Sequence, residues 1–397
     1  MRDVCILGVG MANFGKSLDL GVKQLAGEAV ESALRDAGIP KDQAQFAAVG
    51  NSGWGAGAGQ LAIRGQVALR PLGIGGIPVI NVENACACAS TALHDARLYV
   101  ASGQCDAALA LGMGKLYHPE KARVMQSFLG GTDVEESMKL LAEAMQSGRN
   151  PHAIFMDIYA SEARRHMEKY GTTQRQLAVT GAKNHHHSTM NPKAQYRNDF
   201  SVEEVLADKE VAFPLTRAVC SPIGDGAAAA VVCSAGYLRK RKGARPVKVL
   251  ASVLSSGRDR GEDEPNMCRR VAEQAYRVAG LGPEDIDVAE VHDAASYAEL
   301  AAGEHLGFCA YGERGPLAES GATSLGGSIP LNPSGGLECK GHPVGATGLA
   351  QIAEIVWQLR GEAGERQVKG ARVGLTQNGG GAIPPEEAAL SIHVLAV

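Results

Sequence analysis

The chain has 397 residues and a mass of 41.3 kDa, with 45% hydrophobic and 21% charged residues, which suits one large buried core or two medium ones and excludes a disordered or fibrous protein. A net charge of −4 and a pI near 6.3 exclude the basic footprint of a nucleic-acid binder. No stretch is apolar and long enough to predict a bilayer span or a secretory leader, and nine cysteines without a Cys-x-x-Cys pair imply a reduced, cytoplasmic protein with no structural zinc of its own.

Val4 to Gly10 predicts a buried strand. An amphipathic helix follows, closed by Ala33-Leu34-Arg35-Asp36-Ala37 with Gly38 in the C-terminal cap position, and a second strand runs through Val49. Pro78 to Val82 reads as a third strand and Cys88 to Ser102 as a long helix. Cys86, between them, is thereby placed at a helix N-terminus, where partial positive charge lowers a thiol pKa and backbone N–H groups can hold an oxyanion. Cysteine is also a common small buried residue, and Cys88 is read that way. A fourth strand spans Asp106 to Gly112.

From Lys115 to Pro214 the chain turns polar and helical, an insertion of the kind that covers a site. Within it His185-His186-His187 invites a metal reading, but three successive side chains cannot point one way and no cysteine partners lie nearby. Ala227 to Val232 reads as a last buried strand, and Arg239-Lys240-Arg241-Lys242 as a solvated linker, with an anionic ligand as the alternative.

Ala275-Tyr276-Arg277-Val278-Ala279-Gly280-Leu281 then repeats the first helix end at an offset of 242 residues, and Val247 to Leu250 repeats the first strand. The second copy continues with a strand through Val291, a strand at Ser328 to Leu331, a helix from Gly345 to Arg360 and a strand from Ala371 to Thr376. Two α/β halves with mostly parallel, helix-covered sheets are expected, residues 1–114 with 215–243 forming one, 244–397 the other, and 115–214 the insertion.

His342, held between Gly341 and Pro343 before the helix equivalent to the one that Cys86 precedes, is the candidate base. His292 and Asp293 form an ionisable pair at the carboxyl end of a strand, where ligands gather in open α/β sheets. Gln377-Asn378-Gly379-Gly380-Gly381 ends the last strand and can offer backbone N–H groups, Gly379 first, to an oxyanion.

These segments, in this order on a duplicated chain, resemble the thiolase superfamily over essentially the whole length, and within it the sterol-carrier-protein-type thiolases. Val82-Glu83-Asn84-Ala85-Cys86 with Ser90-Thr91-Ala92-Leu93 is similar to the nucleophile segment, Glu290-Val291-His292-Asp293-Ala294 to the His-Asp motif, and Asn332 to Gly348 to the Gly-His-Pro-x-Gly-Ala-Thr-Gly segment. His166 to Thr172 and Lys183 to Ser188 resemble the family's cap, which would make the three histidines part of a covering loop. The resemblance implies two βαβαβαββ halves in five αβαβα layers under a helical cap. It also implies a homodimer formed through the nucleophile-half sheet, coenzyme A as co-substrate with no tightly bound cofactor, and in this branch often a small zinc-ribbon/OB-fold partner.

It further implies that Cys86 attacks the ketone of a 3-oxoacyl-CoA, that His342 takes the thiol proton, and that His292 serves the oxyanion of the departing enolate. Thiolases use a second cysteine as the carbon acid, placed either in a Cys-x-Gly-Gly-Gly segment or directly after the His-Asp pair. This chain has Gln377-Asn378 and Ala294 at those positions, and Cys339 is the spare thiol nearest a site motif. Ala295 stands where the family often has an aromatic residue, which leaves room for a bulky, branched or aromatic acyl group. The alternatives are a thiolase-fold aldolase with no use for Cys86, a decarboxylating condensing enzyme, and a non-catalytic subunit that binds CoA esters.

Overall fold

The computed structural model describes residues 1–146, 154–239, 241–261 and 263–397, so Lys240 of the basic run and residues 147–153 of the insertion lie outside the described residues. In chain order the strands are β1 (Val4–Met11), β2 (Ala47–Ser52), β3 (Val79–Val82), β4 (Ala107–Lys115), β5 (Glu210–Ala212), β6 (Leu215–Thr216), β7 (Asp225–Ser234), β8 (Val247–Ser256), β9 (Val288–Glu290), β10 (Val373–Ile383) and β11 (Glu386–Ala396). Strands β1, β2 and β7 are buried at every residue, as their continuous runs of Ala, Val and Gly require when both faces are covered.

The principal sheet runs β3-β2-β4-β7-β1-β8-β11-β10-β9, and β5 and β6 pair apart from it. The two halves are thus joined edge to edge, through the antiparallel pairs Cys5↔Lys248 and Ile6↔Val247. The expectation of mostly parallel sheets is corrected. Among the described strands of this sheet β3-β2-β4 and β9-β10 pair in parallel, whereas β4-β7-β1 and β8-β11-β10 are antiparallel. A short turn at Pro384-Pro385 is enough to return β11 beside β10, which a parallel pairing would not permit. The third strand expected in the second half is also reduced, Leu331 making one bridge to Ala289.

Helices Cys88–Ala101 and Thr347–Arg360 pack on each other and on both halves of the sheet, building one core that includes Leu93, Ala96, Leu349, Ile352 and Val356. Helix Val22–Ala37 covers the outer face of the first half and helix Met267–Ala279 that of the second, which gives the αβαβα layering. Both outer helices end at a left-handed glycine, Gly38 at φ 62° and Gly280 at φ 70°, where the repeat placed their caps. The insertion carries the helices Lys121–Leu129, Val134–Gln146, Ile154–Tyr170, Gln174–Thr189 and Val202–Ala207, the last three sharing a core with the second half around Ala163, Leu177, Val205, Tyr297 and Leu300. Among the described residues no helix is long and apolar enough to cross a membrane.

Candidate active site

Between β3 and helix Cys88–Ala101 the chain makes a short 3₁₀ turn, Ala85–Ala87. Ala85 holds φ 48°, a left-handed conformation that costs a non-glycine residue about 1–2 kcal/mol and persists only where neighbours impose it. Glu83 Oε1 accepts from the Ala85 N–H at 2.9 Å, and Gly380 lies against the turn so closely that a Cβ there would stand 2.3 Å from Asn84 O and 2.4 Å from Ala87 N. Cys86 is therefore presented by a strained turn pressed between β10 and its own helix. Cys88, fully buried, accepts from the Asn84 N–H and donates to Glu83, which is the structural role read for it.

The Cys86 sulfur and one imidazole nitrogen from each of His292 and His342 all lie within 4.8 Å of one another. The two rings are 5.2 Å apart and nearly perpendicular. The structure thus brings together, from three distant segments, the three side chains that the sequence singled out.

The electrostatics run opposite to the helix-terminus expectation for the thiol. Cys86 is half-buried, and the surface it keeps faces the interior of a cavity. Desolvation there pushes the thiol up to about 12, the nearby Glu83 adding to it while hydrogen bonds from the Gly381 and Cys86 N–H groups oppose it. His342 is pushed well below the ordinary histidine range by burial and by His292, and burial brings His292 to about 4. At neutral pH the site holds a thiol and two neutral imidazoles.

Hydrogen bonds assign the proton on His342. Its Nδ1 lies 2.7 Å from Thr347 Oγ1, and that hydroxyl has the Pro343 carbonyl at 3.2 Å as its own acceptor, so the ring donates from Nδ1 and keeps its Nε2 lone pair free. His292 has its backbone N–H bonded to Gln377 Oε1 at 2.9 Å and its Nδ1 at 2.9 Å from Asn378 Nδ2.

The other sequence candidates separate. Gly379 lines the cavity, although the N–H that bonds the sulfur is that of Gly381. Asp293 faces away from His292, accepting from the Leu337 N–H at 2.7 Å and holding the turn Gly336–Lys340. Cys339, in that turn, is completely buried and does not reach the cavity wall, because the five-residue turn directs it toward Ser188. The histidine triplet lies in helix Gln174–Thr189, not in a loop, and its members diverge: His185 to the Ala218 carbonyl, His186 to Asp199, and His187 to the Asn332 carbonyl.

The cavity has a volume of about 1400 Å³, larger than the roughly 300–1000 Å³ of an ordinary ligand pocket. The helix Ser296–His305 with its preceding turn contributes Ala294, Tyr297, Ala298, Ala301, Ala302 and His305 to the wall, and the insertion contributes Phe128, Met156, Tyr159 and Glu162. Desolvation by the protein around it raises the Glu162 carboxyl to about 7, although the side chain keeps an exposed flank, with Glu387 reinforcing the shift and Arg165 and Arg260 opposing it. Sequence reading missed the roles of the Asn378 and Thr347 side chains and the insertion's contributors. The hydroxyl five residues after His342, at the start of the helix that follows it, was the one available signal.

The chain matches the family described as "Thiolase, N-terminal domain" over residues 4–236 and "Thiolase C-terminal domain-like" over residues 262–391. It is 40% identical to the acetyl-CoA acetyltransferase of Methanothermobacter thermautotrophicus over 388 residues, covering 96% of this chain and 97% of that protein. It is 40% identical to human sterol carrier protein 2, covering 95% of this chain and 70% of that protein. To the benzoylsuccinyl-CoA thiolase subunit BbsB of Thauera aromatica it is 36% identical, covering 96% of this chain and 95% of that protein. Among solved structures, the Ltp2-ChsH2(DUF35) aldolase superposes with a TM-score of 0.80 at 24% identity, covering 100% of this chain and 98% of that one.

Proposed function

The chain belongs to the thiolase family, and on that premise we propose that it transfers an acyl group between a 3-oxoacyl-CoA and coenzyme A through a thioester on Cys86. The observation that carries this reading is the approach of the Cys86 sulfur to nitrogens of both His292 and His342 within 4.8 Å, at the wall of a large cavity.

In the cleavage direction the sulfur attacks the ketone carbon while its proton passes to His342 Nε2, so that no free thiolate is needed from a thiol held near 12. The new oxyanion accepts from the backbone N–H groups of Cys86 and the Gly379–Gly381 segment. Collapse breaks the C–C bond and leaves the acyl thioester and an enolate, whose oxygen accepts a hydrogen bond from His292. The His342 imidazolium, made acidic by burial, returns its proton to the enolate carbon, the step for which Cys339 is out of reach. Coenzyme A then attacks the thioester, its proton passing through His342 to the Cys86 sulfur.

The alanine-lined wall supports a bulky acyl group, as does the substrate named for BbsB. We also propose a homodimer through the exposed edge of β3, where Ile80 is 43% exposed, and a small partner subunit, which the DUF35 component named in the aldolase supports. Light scattering of the purified chain, alone and with such a partner, tests both.

Intact-mass analysis after mixing with 3-oxoacyl-CoA esters tests the chemistry. An acyl adduct present in the wild type and missing in Cys86→Ala is the expected result. Cleavage of a 3-hydroxyacyl-CoA, whose hydroxyl becomes the carbonyl of the released aldehyde or ketone, that persists in Cys86→Ala without an adduct in either protein would establish the aldolase reading instead, the alternative that the aldolase of like fold supports.

A further inference from the structure

The two residues that stand where a Cys-x-Gly-Gly-Gly thiol was sought both hold His292. Gln377 accepts from its backbone N–H, and the Gln377 carbonyl is itself tied by Gln351 Nε2 at 3.1 Å to the helix Thr347–Arg360. Asn378, 1% exposed, puts Nδ2 at 2.9 Å from His292 Nδ1 and Oδ1 at 2.8 Å from Ser90 Oγ on the helix that follows Cys86. An amide nitrogen donates and cannot accept, so a His292 Nδ1 facing it has no proton, and the ring's one proton sits on Nε2.

We propose that Asn378 is a positioning residue that holds His292 as the Nε2–H tautomer, so that His292 meets the reacting atoms as a hydrogen-bond donor and His342 alone serves as the base. The proposal rests on the acyl-transfer reading. It gives the two imidazoles opposite characters from nearly identical surroundings. Thr347 takes the proton side of His342 and frees a lone pair, whereas Asn378 takes the lone-pair side of His292 and frees an N–H. One base and one donor are what the attack and the enolate oxygen require. The orientation of the Asn378 amide is the hinge of the scheme. Ser90 Oγ has a single proton for two acceptors, Ala87 O at 2.9 Å and Asn378 Oδ1 at 2.8 Å, and when it is given to Oδ1 the amide is fixed with its nitrogen toward the ring.

The test is nitrogen-15 NMR of histidine-labelled protein without substrate, with His292→Gln identifying the His292 signals. The expected spectrum shows His292 bare at Nδ1 and protonated at Nε2. In Asn378→Asp, whose carboxylate only accepts, the proton moves to Nδ1. Acyl transfer in that variant falls about 10- to 1000-fold, the range for losing one oxyanion donor, while alkylation of Cys86 changes by less than about threefold. A wild-type His292 protonated at Nδ1, or an Asn378→Asp protein with an unmoved proton, overturns the proposal. Should Asn378→Asp not fold, the wild-type spectrum still decides. The failures are distinguishable: the expected tautomer without a Cys86 adduct sinks only the acyl-transfer reading, and an adduct with the opposite tautomer sinks only this one.

Discussion

At the scale of single residues the site trades a reactive thiolate for a protected thiol. Cys86 at a helix N-terminus was legible from the chain, as were His342 and His292 from their motifs, but the sign of the thiol shift was not. Sequence shows which backbone N–H groups precede a helix; it does not show how much protein surrounds the sulfur, and here desolvation outweighs the hydrogen bonds that oppose it. Alkylation of Cys86 by iodoacetamide is therefore expected to accelerate about tenfold per pH unit from pH ~7 to ~9.5, because the thiolate fraction keeps growing below a pKa near 12. A rate that levels off near neutrality, measured by mass spectrometry of the Cys86 peptide, would show a stabilised thiolate–imidazolium pair instead. For His342→Asn, steady-state assays should show kcat lowered about 10²- to 10⁴-fold with the Cys86 adduct forming slowly, the range for losing a general base. The partners that fix each tautomer could not be read ahead, since Asn378 is 86 residues from His292 in the chain.

At the scale of elements the internal repeat located helices and caps well and pairing poorly. Gly38 and Gly280 marked two helix ends because a left-handed cap has a residue signature. Strand direction has none, and the antiparallel β4-β7-β1 and β8-β11-β10 sets had to be seen. Glycine runs at a strand end likewise look equivalent in sequence and are not. A Cβ on Gly379 would meet only ordinary contacts with Glu387, the nearest at 3.5 Å, whereas one on Gly380 would strike the backbone of the Cys86 turn. Gly380→Ala should thus destabilise the protein by about 1–3 kcal/mol, the cost of overpacking a filled site, and lower adduct formation. Gly379→Ala keeps the backbone N–H and should leave thermal stability and turnover near wild type. Equal denaturation midpoints for the two variants would contradict this account of how β10 supports the turn.

At the scale of the whole molecule, the second half, the insertion and the first half all line the cavity onto which Cys86 opens. Ala298, Ala301 and Ala302 recur at the spacing of one helix face and border the cavity beside the larger Tyr297 and His305, so part of that helix's wall is made of small side chains. The insertion answers with Phe128, Met156 and Tyr159, side chains that gain from contact with a large apolar group and gain little from an acetyl group. In a cavity of about 1400 Å³ a two-carbon acyl group would leave most of the walls wet. A short substrate therefore forgoes binding energy that a larger one can apply to the transition state. We expect kcat/KM for an aryl or branched 3-oxoacyl-CoA to exceed that for acetoacetyl-CoA by at least about tenfold, one to a few methylene equivalents of pocket contact. Ala298→Leu should erase most of that preference by filling the wall, with the acetoacetyl-CoA value changing little. Higher efficiency on acetoacetyl-CoA in the wild type would remove the bulky-acyl proposal and leave the Cys86 chemistry standing, because the small substrate needs the same thiol, base and donor and only the walls distinguish the two.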